Sequence, residues 1–599
     1  MMLYIFCICR RICGFYKKLA SVIWYFPTHR TNLSCTVLRE CTGMSEPAYL
    51  FTSDCSSILA EVPTHFTPLI LALQTRWIRN LTAQALVRQL IWVALAIYLA
   101  LFVFNATTRT GRFSPDSMNY VNVARNIEVG KGITQPTLGF NQPRISPNDA
   151  IPAPLTAHPP LYPLMISLVS RIGVYAPTSA LALSAVATAL IFILVYKFAI
   201  SLYGEEIALL SMGLLLFYRP LRYISGWAWS DPIAIALMLV SLWLLTTPAG
   251  KARSHYLIAA GLAAGLAFAT RYAFLPLSCV GMIFLVINSP RERRILDVCL
   301  YLSGCFILIG PVLLHNIFVS GSVMPPSNRA AADFFESAIT ELRSLFANYV
   351  AIVPPRWQFG LLLILSAAAA ISLLRAGTAR DLVSNRRYIV PLCASAYLVF
   401  ILAARRAWYF GDDRVNEMLR MITPAGVVLL VFCAALVVKG FRLPRAVINV
   451  LVLLLLGLAL SREVHATTTA RKLDFQSPIL HSERLAWLAN HTSQEDLIIG
   501  DDTVDIPFFL TSRVTVSFSP YPTTQYATYD LIMSYAHLHC NSYRNIYIVL
   551  SSQVLSEKEW RSSYGEFFAD LVFGYVERYP DILLIGQLQD ASVFIVRCR

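Results

Sequence analysis

The sequence predicts a polytopic α-helical membrane protein with a small α/β domain at its C-terminal end. Two observations carry the first part. Nearly continuous apolar runs of span length recur from about residue 86 to 462. Hydrophobic residues make up 56% of the 599-residue chain and charged residues 14%, whereas a soluble globular protein carries about 25% charged residues. The third observation concerns the tail: beyond residue 462 the apolar runs shrink to strand length.

Residues 1–85 form a poorly defined N-terminal segment. "LYIFCIC" is too short to span, "CRRICGFYKK" interrupts it with charge, and Met44 offers an alternative start. "TPLILALQTRWIRNLTAQALVRQ" reads as a basic amphipathic helix on the cytoplasmic surface. Spans are expected at 89–106, 177–202, 206–222, 230–247, 255–271, 273–289, 296–319, 357–375, 388–404, 420–438 and 445–462. That is about 11, each near the ~20 residues that cross the hydrocarbon. Arg88, Lys251 with Arg253, Arg291 to Arg294, Arg386 with Arg387, and Lys439 to Arg445 fall in alternate loops. Those loops, and the N-terminus, are therefore expected to be cytoplasmic. The loops 107–176 and 320–356 and the C-terminal domain fall on the other side. The domains expected are thus 1–85, a membrane domain 86–462, and an extracytoplasmic α/β domain 463–599.

In that last domain the strands are "DLIIG", "RVTVSF", "NIYIVLS", "DILLIG" and "SVFIVR", with helical stretches between them. The last two, joined by "QLQD", predict a hairpin. Cys540 and Cys598 can pair in an oxidising compartment or remain free thiols. The net charge of +14 is read as positive-inside bias and not as nucleic-acid binding, because no basic stripe interleaved with aromatics is present. The 13 cysteines show no paired CxxC spacing, and "HLHC" lacks further ligands, which speaks against a zinc site.

The polar stretch "FSPDSMNYVNVARNIEVGKG" stands out in the first outer loop. Ser114 fits an N-cap, Pro115 the first helical position, and Gly130 and Gly132 the end. Asp116, Tyr120 and Val123 share one face. Taken alone, Asp116 is an acid in a first turn, where it complements the helix dipole. "AHPPLYPLMISLVSRIG" follows in the same loop, too short to span and expected in the interface. At the same membrane face stand Asp231 in "WAWSDPIAIAL", Arg271 and Tyr272 in "FATRYAFLPL", His315 and Asn316 in "LLHNIFVSG", and Arg420 in "NEMLRMITPA". Carboxylates suit a general base or a metal, and arginines suit a phosphate.

These pieces, in this order, resemble the GT-C superfamily of polytopic glycosyltransferases that use polyprenyl-phosphate-linked sugars. The nearest branch is that of the bacterial relatives of dolichyl-phosphate-mannose protein mannosyltransferases and of the aminoarabinose transferase acting on lipid A. The resemblance covers about residues 89–599 and rests on "PDSMNYVNVARNI", "HPPLYPL", "SDPIAIAL", "GLAAGLAFATRYAFLPL", "HNIFVSGSVMPP" and "RMITPA". It implies that Asp116 is the catalytic carboxylate and Asp231 a second acid of the site. It implies substrate-binding roles for Tyr120, His158, Arg271, Tyr272, His315, Asn316 and Arg420, with Arg271 on the donor phosphate. The implied partners are a polyprenyl-phosphate-linked sugar donor, a lipid, glycan or protein acceptor, and the bilayer of a bacterial inner membrane. Many relatives carry two adjacent acids where this chain has Asp116 followed by Ser117, so a divalent cation is left open. A lipid or polysaccharide transporter or flippase is the alternative, although no internal repeat is found and the polar residues gather on one side. A polysaccharide polymerase or ligase would keep the chemistry and change the product.

Overall fold

The computed structural model describes residues 67–138, 151–156, 158–247, 252–320, 385–407, 414–475, 477–501, 503–518, 527–551 and 556–598, with the isolated residues 146, 148, 149 and 323. Residues 86–599 form one compact unit. Helix α1 (Thr67–Thr108) is continuous over 42 residues, so the basic surface helix and the first span expected from the sequence are one element.

The polar loop after it folds into α2 (Pro115–Glu128), three two-residue strands β1 (Thr134–Gln135), β2 (Thr137–Leu138) and β3 (Ala153–Pro154), and α3 (Leu161–Arg171). The bundle continues with α4 (Ala176–Tyr203), α5 (Glu205–Leu215), α6 (Arg219–Ser225), α7 (Asp231–Thr246), α8 (Arg253–Thr270), α9 (Pro276–Asn288), α10 (Arg294–Ser320), α11 (Ile389–Ala407), α12 (Arg414–Gly440) and α13 (Arg445–Thr469). The expected span at 357–375 lies outside the described residues. Five of the described helices are long and apolar enough to cross a membrane, or six if the bent pair α5–α6 counts as one. The chain is an integral membrane protein by this measure.

Residues 206–222 are not one straight helix: α5 and α6 meet at 60°, as a broken span or a re-entrant pair. Pro220 sits at the start of α6, where its missing N–H is harmless, but it could not continue α5.

Small residues set the packing of α8 against α10. A Cβ on Gly261 would come within 2.0 Å of the Tyr301 carbonyl oxygen, and one on Gly304 within 2.4 Å of the Ile258 carbonyl oxygen. The two backbones therefore touch, which is the close approach that small residues permit between membrane helices. Gly261→Leu has to separate them. The expected result is a loss of about 1–3 kcal/mol or more, read as a lower melting temperature in detergent and reduced accumulation in the membrane. Charges also tie neighbouring helices together. Arg88 pairs with Glu205 at 3.1 Å, Arg445 contacts Glu205 and Glu206, and Arg253 binds the buried Asp297 at 2.8 Å.

The C-terminal region contains α14 (Ser477–His481), α15 (Glu483–His491), β4 (Leu497–Gly500), α16 (Asp505–Phe509), β5 (Val514–Ser517), α17 (Tyr529–His539), β6 (Ile546–Ser551), α18 (Glu557–Tyr564), α19 (Glu566–Val572), β7 (Ile582–Gln587) and β8 (Ala591–Val596). All five strands expected in the tail are present. The sheet has six strands in the order β2-β5-β4-β6-β8-β7. Strands β5, β4 and β6 are parallel, and β8 and β7 close the edge antiparallel as the expected hairpin. β4 is buried at every position, which explains its unbroken "LIIG": a parallel strand covered on both faces has no polar side.

The sixth strand is foreign to this region. β2, from the loop between α1 and α4, pairs parallel with β5 through Thr137↔Thr515 and Leu138↔Val516. Cys540 and Cys598 form a disulfide across a sequence separation of 58, settling the choice the sequence left open. Cys540→Ser is expected to lower the stability of this region by about 2–4 kcal/mol, measured as earlier proteolysis of the C-terminal sheet under mild heating.

Candidate active site

Helix α2 is built to hold its first turn still. Ser114 caps it, accepting from the Ser117 amide at 3.3 Å, and Pro115 opens it. The Trp229 indole N–H donates to Ser114 Oγ at 2.6 Å, fixing the cap to the segment that precedes α7. Further along, Asn122 donates to the Val504 carbonyl, Arg125 to the Phe508 carbonyl at 2.7 Å, and Asn126 to the Thr134 carbonyl at 2.9 Å. These bonds spend the polar face of α2 on backbone partners and leave Asp116 free to point elsewhere.

It points at Arg420. The Arg420 guanidinium donates through Nη1 to Asp116 Oδ2 at 2.9 Å and through Nη2 to Asp231 Oδ2 at 3.3 Å. Arg271 Nη1 donates to the same Asp231 oxygen at 2.8 Å. These groups form a row of alternating charge, Arg271, Asp231, Arg420, Asp116, whose two middle members are buried, Asp231 at 2% and Arg420 at 4% exposure, and whose two ends are partly exposed. The planar fork of arginine suits it to bridge two carboxylates. The Arg420 guanidinium also lies 3.8 Å from the centre of the Trp229 ring. Arg271 gains its position from the end of α8, where it takes an extended conformation before the chain turns into α9. Asp231 is the first residue of α7.

His158 extends the row. Its Nε2 is 3.7 Å from Asp116 Oδ1 and its Nδ1 is 3.4 Å from the Tyr120 hydroxyl. That hydroxyl lies 3.3 Å from Ser230 Oγ. A second group supports the loop. Tyr272 donates to the Thr156 carbonyl at 3.1 Å, Asn316 donates to the Tyr272 hydroxyl at 2.9 Å, and His315 Nε2 is 3.1 Å from the Leu155 carbonyl oxygen. Tyr272, Asn316 and His315 therefore hold the backbone that leads into His158, while Asp116, Tyr120, His158, Asp231, Arg271 and Arg420 form one connected set. A small cleft beside the row is lined by Asp231, Arg271, Phe274, Tyr397, Arg420 and Pro424. Ser114, expected as the N-cap, joins the set, as do Trp229 and Ser230, which were not singled out in the sequence. The signal for those two was present in "WAWSDP", next to Asp231.

Burial would raise the Asp116 carboxyl, but Arg420 and then His158 outweigh it and hold it at about 2. Burial lowers the His158 imidazole against the pull of Asp116, which leaves the ring neutral near pH 7. Burial keeps the Tyr120 hydroxyl protonated. Among the described residues no three His, Cys, Asp or Glu side chains converge, and Oδ2 of each acid faces arginine. This donor set does not fit a divalent cation in this arrangement, and no residues are assigned to one.

The fold and the charged row define an integral membrane protein with a polar site at one end of its helical bundle. The resemblance to the GT-C glycosyltransferases of the protein mannosyltransferase branch is borne out: residues 157–315 match the family model described as dolichyl-phosphate-mannose-protein mannosyltransferase. That stretch contains His158, Asp231, Arg271, Tyr272 and His315. No curated protein matches the chain by sequence. Among solved structures, the chain is similar to ArnT from Cupriavidus metallidurans bound to undecaprenyl phosphate, at 13% identity and a TM-score of 0.41 over 86% of this chain and 98% of that one. It is also similar to the archaeal oligosaccharyltransferase AglB from Archaeoglobus fulgidus in complex with an inhibitory peptide and a dolichol-phosphate, at 11% identity and 0.47 over 78% and 70%. The Archaeoglobus fulgidus oligosaccharyltransferase complex with Zn and sulfate gives 13% identity and 0.45 over 77% and 67%.

Proposed function

We propose that this protein is a membrane glycosyltransferase that moves a sugar from a polyprenyl-phosphate-linked donor to an acceptor on the extracytoplasmic face of a bacterial inner membrane. The acceptor is a lipid, a glycan or a protein. In this reading residues 86–462 are the catalytic membrane domain, residues 463–599 an extracytoplasmic α/β domain, and the N-terminus is cytoplasmic. The observation that carries the reading is the Arg420 fork between Asp116 and Asp231, with Arg271 on the far side of Asp231.

The chemistry needs a cation for the leaving phosphate and an acceptor for a proton. Arg271 and Arg420 supply the first. The acceptor oxygen or nitrogen attacks the anomeric carbon, the bond from that carbon to the phosphate oxygen breaks, and its electron pair leaves on the phosphate. The proton of the acceptor passes to Asp116. A single displacement of this kind inverts the anomeric centre. Asp116 clamped by Arg420 is a weak base, since its carboxyl is held at about 2. A donor phosphate that draws Arg420 onto itself releases Asp116, so the base strengthens only when the donor is in place. His158, neutral beside Asp116, orients the carboxylate, and Tyr120 and Ser230 orient His158.

The test is deletion of the gene followed by mass spectrometry of the lipid A, cell-wall glycan and glycoprotein fractions. Loss of one sugar from one fraction, restored by the wild-type chain and not by Asp116→Asn, is the expected result. Unchanged fractions, or full restoration by the variant, would overturn the assignment.

A further inference from the structure

Helices α7 and α8 carry the charged row at one end and a second polar cleft at the other. Asp231 is the first residue of α7 and Thr246 its last, while Arg253 opens α8 and Arg271 follows its end. At 1.5 Å per residue the 16 and 18 residues of these helices separate their ends by about 24 and 27 Å. That is close to the ~30 Å thickness of the hydrocarbon. The cleft is lined by Thr247, Arg253, Tyr256, Asn288 and Arg386, together with apolar residues such as Phe284. It therefore lies toward the membrane face opposite Asp116.

Most polar groups of this cleft are engaged. Arg253 donates through Nε to Asp297 at 2.8 Å and through Nη2 to Ser289 at 3.0 Å. Thr247 donates to the Trp243 carbonyl at 2.7 Å, and Asn288 to the Phe284 carbonyl at 2.9 Å. Two groups are not spent. Arg386 makes one hydrogen bond among the described residues, from Nη1 to the Thr246 carbonyl at 2.9 Å, and no ion pair. That bond caps the last turn of α7, where a cation is favoured, and uses one of the five N–H donors of the guanidinium. The Tyr256 hydroxyl makes no hydrogen bond among the described residues. The charged groups in and behind the cleft are two arginines against one aspartate, a net of +1. Beside it, Ile283, Val286 and Ile287 of α9 are 39%, 44% and 59% exposed.

Taken alone, Arg386 is a capping residue of the kind that a basic loop supplies. The cap does not account for the cleft itself, which gathers an unbalanced cation, unspent donors and an adjoining strip of apolar side chains open to lipid. Basic pockets between membrane helices hold lipid head groups by this chemistry. We propose that this cleft binds the phosphodiester of an anionic phospholipid in the leaflet opposite the charged row. Arg386 and Tyr256 donate to the phosphate, Arg253 is held in place by Asp297 as a cationic wall, and the acyl chains lie along α9. A lipid with a single net negative charge balances the +1, which a zwitterionic one does not. The site stands apart from the transferase reading and does not depend on it.

The test is native mass spectrometry of the full-length protein, purified in detergent and titrated with one of four probes. These are a short-chain phosphatidylglycerol, a short-chain phosphatidylcholine, inorganic phosphate and a phosphate-free diacylglycerol. A phosphatidylglycerol adduct is expected at higher occupancy than any other. Its occupancy is expected to fall by about tenfold or more in the double variant Tyr256→Phe/Arg386→Gln, the worth of a hydrogen bond to a charged group. The glutamine can still donate to the Thr246 carbonyl, so the cap on α7 is kept. Arg386→Lys keeps the charge and is expected to keep the adduct, which separates loss of the anion site from loss of the fold. Equal retention in the double variant would overturn the proposal. So would equal binding of phosphatidylcholine or diacylglycerol, or binding of inorganic phosphate alone.

Discussion

Asp116→Asn is expected to accumulate in the membrane at the wild-type level and to lose sugar transfer by about 10²–10⁴-fold, the usual worth of a positioned proton acceptor. The substitution keeps the shape of the side chain and an oxygen that can accept from Arg420, so the capped first turn of α2 is retained. What it removes is the negative charge and the ability to take a proton. Two further readouts separate catalysis from structure. The melting temperature in detergent is expected to stay within a few degrees of wild type, and retention of the polyprenyl-phosphate-linked donor is expected to survive, since Arg271 and Arg420 are untouched. Full transfer activity in the variant would remove Asp116 from the mechanism.

Arg420→Ala is the second large effect, and it acts on stability as well as activity. Removing the fork leaves Asp231 buried with only Arg271 and leaves Asp116 without its main counter-charge. Breaking a buried ion pair from one side costs about 3–5 kcal/mol, enough to reduce accumulation in the membrane. Arg420→Lys keeps one charge but cannot bridge two carboxylates, so it is expected to fold better than Arg420→Ala while remaining poor in transfer. The sign of the pH effect follows from Asp116. Its carboxyl is depressed to about 2 in the folded protein, against about 3.9 when unperturbed. The stabilisation this represents is present above the unperturbed value and is lost as pH falls through the folded one. Without Arg420 that contribution disappears and burial pushes the carboxyl upward. Melting curves between pH 3 and 6 are therefore expected to show wild type losing part of its stability as pH falls, and the variant, its Asp116 carboxyl raised by burial, gaining stability relative to wild type over the same fall. Parallel curves would contradict the bridging role.

Much of the bundle was legible because apolar periodicity and Pro or Gly punctuation are local signals. The expected span 177–202 coincides with α4 to within a residue at each end, and the tail strands were marked by β-branched runs between turn residues. The start of α2 was legible for the same reason, from Ser114 and Pro115. Three features were not local. The break between α5 and α6 hides in "LLLFYRPLRY", where hydropathy alone runs on and only Pro220 objects. β2 is two residues long and exists because β5 offers an edge, not because "TL" has any strong preference. The fork of Arg420 joins Asp116 and Asp231 from sequence separations of 304 and 189. Each residue could be suspected from its place at a helix end, but the pairing is a property of the assembled bundle.

The strand β2 also dictates a schedule for biogenesis. Thr137 and Thr515 sit side by side although 378 residues separate them, a contact of very high sequence separation and hence a late one. During synthesis the loop that carries α2 emerges early and must wait, with its strand unmated, until the final quarter of the chain is made. α2 waits too, because Asn122 and Arg125 bind carbonyls of Val504 and Phe508. A ribosome that stops after the last membrane helix would leave a fully inserted bundle whose acid-bearing loop has nothing to close against. Completion of the polypeptide thus doubles as the licence for the site, and a truncated product would be inert without being misinserted.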